Sequence, residues 1–182
     1  ILIRGIRFGV PICEDIWDPE VCECLKESGA EIILSINGST YNIDKMEKRV
    51  NNVVSRAVEN DIPLIYLNLV GCQDELIFDG GSFAVNSDGQ LACQLPMFET
   101  FDGVIEIENN SSSLKISSNH IFKDQTGYES LYSAIMLSLR DYVTKNSFKN
   151  VILGLSGGID SALVSAVAVD ALGPENVRCF ML

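Results

Sequence analysis

Residues 151–182 constrain the chain more than any other stretch. Val151 to Leu155 (VILGL) is a short apolar run of strand type. Ser156-Gly157-Gly158 is a tight turn. Ile159 to Leu172 is a helix-length run stopped by Gly173-Pro174. Val177 to Leu182 (VRCFML) is a second apolar strand. Strand, helix and strand of these lengths form one βαβ unit, with parallel strands and a right-handed crossover. One such unit is less than the sheet of a nucleotide-binding domain. The expectation is the opening part of a Rossmann-like domain, cut off rather than finished.

The turn inside this unit, Ser156-Gly157-Gly158-Ile159-Asp160-Ser161, carries the strongest chemical signal. Two glycines let the backbone turn sharply and approach a ligand. The helix N-terminus then aims free N–H groups and a partial positive charge at that ligand. Ser156 and Ser161 add hydroxyl donors. Such a set suits an oxyanion, above all phosphate. It contains no lysine, so it is not the GxxxxGK[ST] loop. Asp160 would repel a phosphate unless a cation stood between them, and Mg²⁺ bridging the two resolves that conflict. The plainer alternative is an ordinary βα turn with Asp160 as a helix-start charge. The string SGGIDS resembles the pyrophosphate loop of the ATP pyrophosphatases, which bind ATP, adenylate a substrate oxygen and release pyrophosphate. That resemblance implies ATP contacts from Ser156, Gly157, Gly158, Ile159, Asp160 and Ser161, with Asp160 as the Mg²⁺ ligand.

The N-terminal segment has a different pattern. Strands are expected at Arg7 to Cys13, Glu31 to Asn37 and Pro63 to Leu69. Helices are expected at Pro19 to Ser28 and Asp44 to Asn60. In the second, Met46, Val50, Val53, Val54, Ala57 and Val58 recur at helical spacing. Ser82 to Leu95 reads as a hairpin turning at Asn86-Ser87-Asp88-Gly89, and Val104 to Ile107 as an edge strand. Together these make an α/β layer on a mixed sheet. Cys13, at the end of its strand and followed by Glu14-Asp15, has the setting of a nucleophile at an elbow. The plainer alternative is a small buried hydrophobe.

The run GVPICEDIW, from Gly9 to Trp17, resembles the nucleophile motif of the nitrilase (carbon–nitrogen hydrolase) superfamily. Leu34-Ser35-Ile36-Asn37-Gly38-Ser39-Thr40-Tyr41 resembles that superfamily's next strand and substrate loop, although Thr40 stands where Pro is commoner. Asp79-Gly80-Gly81-Ser82 and its hairpin fit the same family. The resemblance implies an αββα sandwich, of which this segment is the C-terminal part. It also implies that Cys13 attacks the amide carbon of glutamine, with Glu14, Ser39 and Lys45 holding that substrate. The family's general-base Glu and oxyanion Lys precede the Cys strand, and the twelve residues before Cys13 hold neither. Trp17 is expected to pack over the elbow.

Composition removes other classes. Thirteen Lys and Arg against 25 Asp and Glu give a net charge of -12, which repels nucleic acid and anionic membranes. No apolar run approaches the ~18–20 residues of a membrane-spanning helix, and the start lacks a signal-peptide pattern. The six cysteines form no CxxC pair, and the one histidine, His120, lies in a polar stretch. A Cys/His zinc site and a Cys/His dyad are therefore poor expectations, and reduced thiols in a cytoplasmic protein fit better. Besides Cys13, the cysteines read as structural, with Cys179 in a buried strand. Asn109 to Gly127, rich in Ser and Asn, reads as a linker. Glu129 to Lys145 reads as an amphipathic helix with Leu131, Ile135, Leu139 and Tyr142 on its apolar face.

The expected division is 1–108 hydrolase part, 109–127 linker and 128–182 ATP-pyrophosphatase part. A nitrilase-type cysteine followed by SGGIDS resembles the glutamine-dependent NAD synthetase family. That resemblance implies a ligase using glutamine, deamido-NAD and Mg-ATP, assembled as a homo-oligomer. These 182 residues alone are expected to be inactive. A stand-alone carbon–nitrogen hydrolase and a non-catalytic remnant remain as alternatives.

Overall fold

The computed structural model describes residues 1–110 and 113–181, so Ser111, Ser112 and Leu182 lie outside it. The chain forms two compact units, residues 1–70 with 78–124 and residues 71–77 with 125–182.

The first unit is built on a six-stranded mixed sheet. β1 (Leu2–Ile3) and β2 (Ile6–Gly9) form a short hairpin through Arg4-Gly5. α1 (Pro19–Glu27) leads to β3 (Ile32–Asn37), and α2 (Lys45–Glu59) leads to β4 (Leu64–Asn68). In chain order β5 (Val70–Gln73) and β6 (Leu76–Asp79) come next, a ribbon whose residues 71–77 belong to the second unit, and then β7 (Phe83–Val85) and β8 (Leu91–Gln94). The sheet order is β1-β2-β3-β4-β7-β8. β2, β3 and β4 are parallel, and the other pairings are antiparallel. The crossovers between the parallel strands pass through α1 and α2. α1 begins well because Asp18 caps it, accepting from the Glu20 N–H at 3.0 Å, with Pro19 in its first turn.

One sheet face is apolar and packs under α2. Ile33, Leu64, Tyr66, Phe83 and Val85 meet Met46, Val53 and Ala57 there. Three positions of α2 depart from the expected stripe. Arg49 and Arg56 are buried on the inner face, whereas Val58 is 51% exposed. Cys22 lies in the same core. Burial pushes its thiol pKa up to about 11, outweighing the pull of Arg56, while Glu59 and Asp18 push the same way. The sign follows from linkage. The unfolded chain ionises Cys22 first, so its contribution is complete below pH 9 and is lost between about 9 and 11. Urea unfolding across that range is expected to show falling stability, and Cys22→Ala a shallower fall.

The opposite face of β4, β7 and β8 is covered by the segment after β8. β9 (Glu106–Asn110) pairs with β10 (Ser113–Ser117) as a separate ribbon, not as an edge of the main sheet. Ile116 of β10 is buried against Ala84 and Cys93. The stretch read as a linker from Asn109 to Gly127 thus contributes to a core. The Asn86 side chain secures it, donating to Ile116 O at 3.1 Å and accepting from Ile116 N at 2.8 Å. Asn86→Ala would leave both groups of Ile116 buried and unpaired, with an expected loss of about 2–4 kcal/mol in urea unfolding. His120, from the same stretch, packs against Phe101 and Phe122, which also touch each other.

The second unit holds α3 (Gly127–Lys145), β11 (Val151–Leu155), α4 (Ile159–Leu172) and β12 (Val177–Met181). β11 and β12 are parallel, joined through α4. The expected apolar face of α3 is out of phase. Ser130, Ala134, Leu137 and Val143 are buried, while Ile135 and Tyr142 are 44% and 64% exposed. Small side chains at Ser130 and Ala134 permit close packing, so they override the stripe of larger ones. Cys179 is exposed rather than buried, because among the described residues β12 has one strand neighbour and its outer positions stay open.

Candidate functional site

Parallel strands bring their C-terminal ends to one edge of the sheet, and the candidate residues of the first unit collect there. The chain leaves β2 through Pro11, whose carbonyl accepts from Ile36 N at 3.2 Å, and Ile12 bridges Ile36 of β3. Cys13 then turns the backbone. Its φ is 53°, in the left-handed region that a residue with a Cβ enters at a cost of roughly 1–2 kcal/mol. A single 3-10 turn follows, Cys13–Trp17.

Bonds on both sides hold this elbow. The Asp15 carboxylate accepts from Ile12 N at 2.9 Å, and Asp15 N donates to Ile12 O at 3.2 Å. On the far side, Asn52 of α2 donates to Ile16 O at 3.1 Å, and Ile16 is fully buried. The thiol between these anchors is half-buried. Trp17, expected to cover the elbow, is instead 42% exposed. The anchor is Ile16, because the tight turn sends neighbouring side chains in different directions.

The loop after β3 is fixed more tightly still. Ser39 N donates to Asn68 Oδ1 at 2.9 Å, and Asn68 Nδ2 reaches Gly80 O at 3.1 Å. Arg49 enters from α2 with a fully buried side chain. Its Nε donates to Ser39 Oγ at 3.1 Å, and its Nη2 donates to Ser39 O at 2.9 Å and Thr40 O at 3.0 Å. Nη1 forms an ion pair with Asp79 at 2.8 Å, and Asp79 is 1% exposed. Lys45, half-buried at the start of α2, turns back to Thr40 Oγ1 at 3.5 Å.

Ser39 on this loop and Lys45 in the first turn of α2 are therefore held at the sheet edge where Cys13 stands. Glu14, next to Cys13, is exposed. Arg49, Asn68 and Asp79 were not legible as site residues. Arg49 gave one signal: it lies three residues after Met46 and four before Val53, on the buried stripe of α2.

Tyr66 of β4 adds to this polar layer. It is 1% exposed, and its hydroxyl has no hydrogen-bond partner among the described residues. Burial holds its pKa above the usual phenol value, against the charge of Arg49 and the nearby Ser39 hydroxyl. Ser39 Oγ is close enough to act on that charge without meeting hydrogen-bond geometry.

The candidate phosphate loop of the second unit joins β11 to α4. Gly157 has φ 81°, and a Cβ there would meet nothing within 4 Å. Glycine is thus required by backbone conformation rather than by space. Ser156 and Ser161 face each other at 3.3 Å between hydroxyl oxygens. Ser161 Oγ donates to Gly158 O at 3.0 Å, and Ala162 N donates to the same carbonyl at 3.2 Å. Gly158 caps the helix, so the N–H groups of Ile159, Asp160 and Ser161 open its first turn. Residues 156–160 are exposed. Among the described residues no cluster of three or more His, Cys, Asp or Glu could hold a metal. A cation at Asp160 would need phosphate oxygens for its remaining ligands, a usual arrangement for Mg²⁺. No helix among the described residues is long and apolar enough to cross a membrane.

The chain belongs to the carbon–nitrogen hydrolase family, whose model matches residues 1–112. Residues 131–182 match the NAD synthase family. Over nearly the whole chain the similarity is to glutamine-dependent NAD(+) synthetases. The one from Rhodobacter capsulatus is 44% identical over 97% of this chain and 32% of its own length. That of Acinetobacter baylyi is 40% identical over 98% of this chain and 32% of its own. The solved structure of the Acinetobacter baumannii glutamine-dependent NAD+ synthetase, in complex with ADP, has a TM-score of 0.91 at 37% identity. It covers all of this chain and 34% of that one. The chain thus spans about a third of the length of these relatives.

Proposed function

We propose that the polypeptide containing this chain is a glutamine-dependent carbon–nitrogen ligase that makes NAD from deamido-NAD. The observation that carries this is the strained elbow at Cys13, beside a clamped loop and in the same chain as the SGGIDS turn. Backbone strain at a half-buried thiol, paid for by bonds on both sides, is what a nucleophile site requires.

In this reading residues 1–108 belong to the glutaminase domain, part of 109–127 packs back onto that domain, and 128–182 open the synthetase domain. Cys13 Sγ attacks the glutamine carboxamide, ammonia leaves, and water then cleaves the thioester to glutamate. Ser39 and Lys45 bind the glutamine, with Glu14 beside the nucleophile. Residues Ser156 to Ser161 hold the ATP phosphates through the helix N-terminus, Gly157 and Gly158 and the paired hydroxyls. Asp160 would hold Mg²⁺, which offsets phosphate charge during transfer of the adenylyl group. The nicotinate carboxylate of deamido-NAD attacks the ATP α-phosphorus and pyrophosphate leaves. Ammonia then displaces AMP and forms the amide. Free thiols fit a cytoplasmic setting, and a homo-oligomer remains part of the proposal.

The test is NAD formation by the full polypeptide from deamido-NAD and Mg-ATP, with glutamine or with ammonium. Synthesis from both nitrogen sources is expected. No NAD from either would overturn the proposal, and amide hydrolysis without synthesis would favour a stand-alone carbon–nitrogen hydrolase.

A further inference from the structure

The geometry points to Arg49 as a positioning residue that holds Ser39 with its hydroxyl proton directed away from the guanidinium, ready for an acceptor oxygen of the ligand. This rests on the reading of the first unit as a glutaminase.

The argument begins with what arginine can do. A guanidinium only donates hydrogen bonds, so where Arg49 Nε meets Ser39 Oγ at 3.1 Å the serine oxygen must accept. The serine proton is then left to point away from Arg49. Rotation of the hydroxyl is otherwise free, and here one sector is filled. Ser39 can therefore offer its proton to a carbonyl or carboxylate oxygen, while one lone pair stays on Oγ.

Arg49 also fixes the backbone that carries this hydroxyl. Its Nη2 binds the carbonyls of Ser39 and Thr40, while Asn68 takes the Ser39 N–H. Asp79 holds the guanidinium at 2.8 Å, inside a site where neither side chain is more than 1% exposed. A buried ion pair is weak as a source of stability, and a well-packed apolar pair often replaces it without loss. Four hydrogen bonds aimed at two partners on one short loop and at Asp79 instead mark a device for geometry. The cation is consumed by the protein, so it is not a direct ligand for the substrate carboxylate.

The experiment measures glutamate release from glutamine by the full polypeptide. Arg49→Ala alone would leave Asp79 unpaired and fail to fold, so two other variants are used. Arg49→Lys keeps the charge but cannot serve Ser39, Thr40 and Asp79 together. The double variant Arg49→Met with Asp79→Leu removes the pair and keeps the volume. Thermal melting shows whether each is folded. Both are expected to raise KM for glutamine on the order of tenfold or more, since the loop must now be ordered by the substrate. Alkylation of Cys13 by iodoacetamide, which needs no Ser39 contact, is expected to stay within about twofold. An unchanged KM in either folded variant overturns the assignment. So does a parallel collapse of kcat, KM and Cys13 alkylation, which would mark a merely structural role. A wild-type protein that releases no glutamate removes both the glutaminase reading and this one. Glutamate release without NAD formation removes only the synthetase half.

Discussion

Cys13→Ala is expected to abolish NAD synthesis from glutamine and to leave synthesis from ammonium standing. Without the thiol there is no covalent route through the carboxamide, and the glutamine-driven rate should fall on the order of 10⁴-fold or more. The ammonium-driven rate should stay within about twofold, because the second unit's chemistry begins after ammonia is free. The elbow adds a stability signature. Alanine keeps the Cβ that strains a backbone at φ 53°, whereas glycine removes it. Cys13→Gly should therefore be the more stable of the two inactive variants, by about 1 kcal/mol in urea unfolding. Equal stability would mean that the left-handed conformation carries no strain, and that the elbow is an ordinary turn.

Asp160→Ala is expected to do the converse. It stands in the first turn of α4, two residues after the capping Gly158 and beside the facing hydroxyls of Ser156 and Ser161. Removing it takes away the carboxylate of the SGGIDS turn, which in the proposed reading carries a cation between protein and phosphate. NAD formation from either nitrogen source should fall on the order of 10²–10³-fold. Glutamate release from glutamine should remain measurable. Asp160→Asn keeps a side chain suited to a helix start but not the charge, so it should raise the Mg²⁺ concentration needed for half-maximal rate. If Asp160→Asn matches wild type across a Mg²⁺ titration, Asp160 is only a helix-start residue. The two variants together separate the units: one should lose a nitrogen source, the other should lose synthesis.

Much of the path from residues to elements was open to reading because the signals are local. The β11–turn–α4 sequence combines an apolar strand, a glycine turn and a Gly-Pro stop, and all three act over a few residues. The hairpin around Asn86-Ser87-Asp88-Gly89 likewise closes within its own turn, with Asn86 N bonded to Gln90 O at 2.9 Å. Asn109 to Gly127 misled for a physical reason. A ribbon with Ile116 as its buried residue has too little apolar material to announce itself, and what orders it is Asn86 and the sheet face beneath. α3 misled in phase, because the helix turned its small residues inward and left Ile135 and Tyr142 outside.

The candidate site divides in the same way. Cys13, Ser39, Lys45 and the SGGIDS turn stand out by residue type and neighbours alone. Their setting does not. That Cys13 is strained, that Ser39 is a clamped donor and that a fully buried arginine holds it are consequences of β3, β4 and α2 meeting. The residues involved, Ser39, Arg49, Asn68 and Asp79, are spread over 40 positions of chain. Sequence by itself determined the strand and helix units and the two chemical motifs, since these depend on periodicity and turn chemistry. Only the tertiary structure decided which polar side chains are buried together. A buried charge is tolerated only when distant partners arrive to pair it, and no local pattern records their arrival.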